Sequence, residues 1–279
     1  MNLVETAYDV LITGLRFPEG PCFDQNGNLW FVEIQGNCLC KWDGHRLERI
    51  QVNGTPNGAA IDKNGNVWFC DSERGEIRKF DPLSKEIESV CKYTTDGSRL
   101  IRPNDLLFDH HSNLLFSDHA DGRQKPVSTI CVLPKGETKA RVISDNKYFT
   151  NGLAFMKNGT TLVFSETYRQ TLWRAEWNPE NLELKNEQHF AAAGDGPWGP
   201  DGIAFDEYEN LYVSVFNEHA VNVYNKEGGL VKTLSCEGSR PTSCAFDPFG
   251  RFGLVVTEAE RGEIISYKTG GRGMSLYPG

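Results

Sequence analysis

Glu19, Asn57, Asn104, Asn151, Asp201 and Thr242 each stand at the middle of one short phrase that recurs six times along the chain. The copies are Pro18-Glu19-Gly20, Pro56-Asn57-Gly58, Pro103-Asn104-Asp105, Thr150-Asn151-Gly152, Pro200-Asp201-Gly202 and Pro241-Thr242-Ser243. Every middle side chain bears oxygen. Carboxylate and amide oxygens, with no cysteine or paired histidine beside them, are the donor set of a hard cation; Ca2+ takes about six to eight such ligands. Glu19 and Asp201 together would neutralise a divalent ion, and asparagine oxygens would fill further positions without adding charge. A lone Asn-Gly or Asp-Gly is an ordinary turn pair, because these residues tolerate positive φ. The chemistry therefore depends on whether the fold gathers the six.

The surrounding pattern says that it does. Four residues after each middle position comes Phe23, Ile61, Phe108, Phe155, Phe205 or Phe246. The next residue is Asp24, Asp62, Asp109, Met156, Asp206 or Asp247, and a turn and a second apolar run follow. A repeat of roughly 40–50 residues with several strands per copy is the signature of a β-propeller. The expectation is an all-β, six-bladed β-propeller of four antiparallel strands per blade, forming a single domain over residues 1–279. In blade 2 the inner strand is expected at 59–62, the second at 67–71, the third near 78–80 and the fourth at 87–91. Blades 3 and 4 are longer, with loop insertions expected near 121–125 and 178–184. The last copy lacks a clear fourth strand, so residues 8–12 are expected to complete blade 6, with the tail 270–279 as a competitor.

Direction then places the polar groups. The phrase opens the inner strand and so lies at one mouth of the channel. The chain runs down, turns and returns, so the second strands end at that mouth with Glu33, Asp71, Asp118, Glu166 and Glu258, and with Asn217 nearby in blade 5. The recurring aspartates from Asp24 to Asp247 fall at the far end beside the turns and read as turn caps. Arg102, two residues before Asn104, lies just above the mouth and could clamp a substrate oxygen. His119 follows Asp118 on the same face and is a candidate substrate contact.

Composition narrows the class. The 279 residues carry a formal net charge of -9. That balance argues against nucleic acid and anionic membranes as partners. Residues 1–13 lack a basic start followed by an apolar core, and no apolar run is long enough to span a bilayer. The expected location is cytoplasmic. Of eight cysteines only Cys38 and Cys40 are close; without a partner pair their spacing argues against zinc. Cys22, Cys70 and Cys244 fall in strand patterns and read as buried thiols. No nucleophile elbow, P-loop or dinucleotide fingerprint occurs, which disfavours a serine nucleophile, ATP or NAD.

Phe17-Pro18-Glu19-Gly20-Pro21, Arg102-Pro103-Asn104-Asp105, Thr150-Asn151-Gly152-Leu153 and Pro200-Asp201-Gly202-Ile203 resemble the motifs of the regucalcin/gluconolactonase family, which also includes luciferin-regenerating enzymes. The similarity spans nearly the whole chain and keeps the family's order and approximate spacing. It implies a six-bladed propeller with one divalent metal at the channel mouth and hydrolysis of a sugar lactone to its aldonic acid. By this resemblance Glu19, Asn151 and Asp201 are metal ligands, Asn104 lies beside the metal, Arg102 contacts substrate, and Asp201 doubles as general base. Asp118 and His119 join the substrate-binding set from their place at the mouth. Ca2+ is the first choice of ion, with Zn2+, Mg2+, Mn2+ and Fe2+ admitted by the same oxygens. Two alternatives stand beside the lactonase: another metal-dependent hydrolase or lyase acting on phosphoesters or non-sugar lactones, and a calcium-binding propeller without turnover.

Overall fold

The computed structural model describes residues 7–274. It is a ring of six small antiparallel sheets, a six-bladed β-propeller. The inner strands are Pro18–Phe23, Pro56–Ile61, Pro103–Phe108, Thr150–Phe155, Pro200–Phe205 and Pro241–Phe246. Each pairs with a second strand whose last residue, Glu33, Asp71, Asp118, Glu166, Val215 or Glu258, returns to the mouth. Among the described residues no helix is long and apolar enough to cross a membrane.

The recurrent phrase lies inside the inner strand rather than ahead of it. In blade 2 the strand starts at Pro56, earlier than the sequence pattern places it. The reason is a break in register at every copy, for example between Glu19 and Cys22 and between Thr150 and Leu153. A bulge of this kind re-aims one side chain without ending the strand. Six bulges at one level turn six polar side chains toward the same mouth.

Apolar side chains fill the gaps between blades. Cys22, Trp30 and Val32 of blade 1 pack on Val67, Phe69 and Phe80 of blade 2. The ring closes through Ile12 and Ile264 against Phe31 and Trp42. Asp9–Ile12 pairs antiparallel with Glu263–Tyr267 and so supplies the fourth strand of blade 6. The described part of the tail runs elsewhere: Gly273 bridges Asp206 and the Met274 N–H donates to Phe205 O at 3.1 Å, in blade 5. The rest of the tail, and the start of the segment read for a leader, lie outside the described residues. Blade 3 carries a fifth strand, Tyr93–Thr94, parallel to Lys139–Lys147. Residues 178–184 are the tip of a long hairpin in blade 4 rather than an irregular insertion. All eight cysteines are free and buried, Cys22, Cys70 and Cys244 among them.

Candidate active site at the mouth of the channel

The bulges work only because the strands crowd one another. Gly20 has φ +53°, and a Cβ there would lie 2.7 Å from Ala59 N in the next blade. A Cβ on Gly152 would lie 2.5 Å from Asp201 O. Glycine at the third position lets neighbouring inner strands touch. The middle residues then come together around the axis, each buried: Glu19 7%, Asn104 7%, Asn151 5% and Asp201 8% exposed.

Asn151 Nδ2 donates to Thr167 Oγ1 at 3.4 Å, and both its amide and the charge of Glu19 act on the Asp201 carboxylate. A third carboxylate joins them. Asp105 stands where four copies of the phrase have glycine, and its Oδ2 accepts the Leu153 N–H of blade 4 at 3.1 Å. Its Oδ1 accepts the Leu106 N–H at 2.8 Å. Sequence reading passed over Asp105; the departure from glycine was the available signal. Thr242 proves to be a seam, since its hydroxyl donates to Pro18 O at 2.8 Å and ties blade 6 to blade 1.

Burial raises the pKa of all three carboxylates. Glu19 is pushed up to about 8 by burial and then by Asp105, against the Gly20 N–H that donates to it at 2.7 Å. Asp201 lies well above the usual carboxylate range, through burial and then the charges of Glu19 and Asp105. Asp105 rises to about 6 through burial. Among the described residues no arginine or lysine acts to offset them. Asn57 Oδ1 is buried with no partner among the described residues, while its Nδ2 donates to Ser72 Oγ at 3.3 Å. Clustered carboxylates without a countercharge, beside an orphaned amide oxygen, fit a hard divalent cation.

The carboxylates that end the second strands do a different job. Asp118 accepts the N–H groups of Ile101 and Arg102, each at 2.8 Å, and of Ala120 at 3.1 Å. It thereby holds the backbone that carries Arg102. Glu258 holds the Arg240 N–H in the same way at 2.9 Å, and Glu166 holds the Tyr148 N–H. In blade 5 the part falls to Glu218, which accepts the Gly196 N–H at 3.0 Å, rather than to Asn217. His119 is buried, and its ring stacks on Phe149 with centroids 4.0 Å apart. Burial, then Arg102 and Arg123, push its pKa down to about 4. Its Nδ1 accepts the Asp121 N–H at 3.2 Å, so the neutral ring carries its proton on Nε2.

Apart from the axial carboxylates, Glu33, Cys38 and Cys40 of blade 1 bring their ligand atoms within 4.8 Å of one another. The spacing of the cysteines alone hid Glu33 from view. That carboxylate is already engaged, since Arg49 Nε lies 2.6 Å from its Oε1.

Comparison with known proteins bears on the family and the fold. The family described as "SMP-30/Gluconolactonase/LRE-like region" matches residues 17–260. The chain is similar to diisopropyl-fluorophosphatase of Loligo vulgaris, 25% identical over 99% of this chain and 96% of that protein. It is similar to pentonolactonase of Haloferax volcanii, 23% identical over 91% of this chain and 85% of that one. Its fold is similar to the solved structure of a calcium-binding protein, regucalcin, from Agrobacterium tumefaciens. That match has a TM-score of 0.85 and 18% identity, and covers 100% of this chain and 98% of the other.

Proposed function

The chain belongs to the SMP-30/gluconolactonase/LRE-like family, and from that premise we propose that it is a metal-dependent hydrolase that opens a sugar lactone to its aldonic acid. The observation that carries the reading is the cluster of Glu19, Asp105 and Asp201, three buried carboxylates at a channel mouth that no basic side chain among the described residues acts to balance. The relatives that support it are a pentonolactonase and a fluorophosphatase, both hydrolases by name.

Glu19, Asn151 and Asp201 would hold the cation, with Asn104 beside it. When bound, the ion supplies Lewis-acid polarisation of a carbonyl oxygen and charge for the oxyanion that develops there. Asp201 orients the attacking water and takes its proton. An ordinary carboxylate, with pKa about 3.9, is a weak base, but a cation beside it would acidify the water and so lessen what the carboxylate must do. Arg102 and Asn104 hold the oxygens of the lactone ring. His119 offers its Nε2–H as a donor. Asp118 keeps Arg102 in place through the backbone.

The direct test is proton release from gluconolactone, xylonolactone, arabinonolactone and galactonolactone, with EDTA-treated protein and each divalent ion added back. Turnover that needs a metal and is lost in Glu19→Gln supports the reading. Tight metal binding with no turnover would move the protein to the non-catalytic alternative. The similarity to the fluorophosphatase over nearly the whole chain favours one second reading, a phosphoester hydrolase. Fluoride release from diisopropyl fluorophosphate, run in the same panel, separates the two.

A further inference from the structure

The loop that follows the second strand of blade 3 is pressed onto blade 4. The Gly122 N–H donates to His119 O at 2.6 Å, and Ser128 Oγ donates to the same carbonyl at 2.7 Å. A Cβ on Gly122 would lie 2.9 Å from Phe149 N, so the loop has no slack there. This places the next residue, Arg123, over blades 4 and 5. Its guanidinium lies 5.7 Å from the ring of Phe149, 6.0 Å from Tyr168 and 5.8 Å from Trp198. Those rings contact one another in series, Phe149 to Tyr168 at 5.3 Å and Tyr168 to Trp198 at 5.2 Å. Phe149 comes two residues before Asn151, and Trp198 three before Asp201, so the platform stands at the rim above the carboxylates.

Aromatic faces hold the flat side of a guanidinium and leave its N–H edge free. Asp121 Oδ1 lies 3.4 Å from Nε, and among the described residues neither Nη donates a hydrogen bond to the protein. The Arg102 carbonyl accepts the His119 N–H at 3.1 Å, and Arg102 forms no ion pair among the described residues. A cationic fork with an open edge, that of Arg123, thus stands over a site whose own carboxylates are reserved for a cation. A neutral sugar lactone gives that fork nothing charged to bind.

We propose that Arg123 binds an anionic group on the substrate, so that the lactone carries a carboxylate or phosphate away from its ring carbonyl. This rests on the lactonase reading for the reaction, but not for the binding. A guanidinium meets either oxyanion through two parallel N–H bonds, and charge-assisted bonds of this kind are about twice as strong as neutral ones.

The test has a kinetic arm and a binding arm, both on metal-loaded protein, with wild type, Arg123→Met and Arg123→Lys. The kinetic arm compares kcat/KM for glucono-1,5-lactone, its 6-phosphate and glucaro-1,4-lactone. The binding arm measures 6-phosphogluconate, glucarate and gluconate by calorimetry. Wild type is expected to favour one anionic ligand over the neutral-tailed one by roughly 10- to 100-fold. Arg123→Met, which keeps the packing on the rings, is expected to erase that preference and to change the neutral substrate by less than about threefold. Lysine is expected to restore part of it. Whether phosphate or carboxylate gains more identifies the group. Anion binding that depends on Arg123 without turnover would sustain this proposal and sink the lactonase reading. Lactone turnover with equal use of neutral and anionic substrates, or an Arg123→Met change that affects all of them alike or speeds the neutral one, would overturn the anion site and leave the lactonase standing.

Discussion

The two ends of the inner strands are built from the same repeat and have diverged in opposite ways. At the far end the same bonds recur. Asp62 Oδ1 accepts the N–H groups of Asn64 and Asn66 at 2.9 Å, and Oδ2 accepts Asn66 Nδ2 at 2.8 Å and Trp68 Nε1 at 2.9 Å. Asp24 makes the same set with Asn26, Asn28 and Trp30. Asp109 repeats it with His111 and Asn113, but takes its indole from Trp177 of the neighbouring blade. In blade 4, where Met156 replaces the aspartate, Asn158 Oδ1 caps the turn for Thr160 and Thr161. At the mouth the backbone geometry recurs and the side chains differ. Glu19, Asn57, Asn104, Asn151, Asp201 and Thr242 share a position but not one role: Glu19 accepts the Gly20 N–H, Asn57 and Asn151 donate to the hydroxyl that follows their second strand, and Thr242 donates to Pro18 O across the ring closure. Repeated side chains with repeated bonds mark architecture. A repeated backbone with varied side chains marks a place where one ligand is met from several directions.

Exchanging damage between the two ends tests this contrast. The largest effect is expected at the mouth: Asp201→Asn should lower kcat by about 10³-fold, the scale of losing a positioned acid–base group and a ligand together. Its thermal stability without metal should hold or rise, because a buried charge is removed. Steady-state kinetics paired with thermal unfolding checks both halves, and a stability loss with kcat intact would break the comparison. At the far end, Asp62→Ala should cost about 2–4 kcal/mol of stability, since four donors lose their acceptor. The protein that remains folded should keep its kcat, as read by denaturant unfolding and active-site titration.

The pH response of the metal-free protein sharpens the point further. Glu19 binds its proton more tightly folded than unfolded, with its pKa raised from 4.5 to about 8. Asp105 moves the same way, from 3.8 to about 6. Such groups stabilise the fold below their unfolded pKa, and that stability is lost as pH climbs through the folded value. Tm of EDTA-treated protein should therefore fall between about pH 4.5 and pH 8, and the stabilisation by added cation should grow over the same window. A flat profile would mean that the three carboxylates do not form one buried cluster. The smallest effect is expected from Asp118→Asn, which loosens the backbone of Arg102 without touching the metal position. KM should rise about three- to tenfold with kcat within about twofold.

Much of this was legible from residues alone. The sixfold phrase and the strand periodicity located the blades, the mouth and the turn caps, because β-structure writes burial into alternate residues and turn chemistry into fixed offsets. Closure by the strand near residues 8–12 was readable from the missing fourth strand of blade 6. Other features were not. Asp118 and its counterparts look like site carboxylates in sequence, and only the hydrogen bonds show them gripping the loop ahead of the inner strand. Asp105 drew no role from its place in the phrase, and only the fold shows its carboxylate joining blade 3 to blade 4. Arg123 lies in a loop with no periodicity at all, and its rings come from two other blades.

The sequence by itself determined which side chains sit at equivalent places, because a local repeat needs only local interactions to declare itself. The tertiary structure alone decided which of those places share an environment. The charge of Asp105 reaches Glu19 and Asp201 across blades separated by many residues. Burial, which raises all three pKa values, exists only once the ring has closed. Desolvation and charge–charge repulsion depend on distance through space, and distance through space is set by the fold.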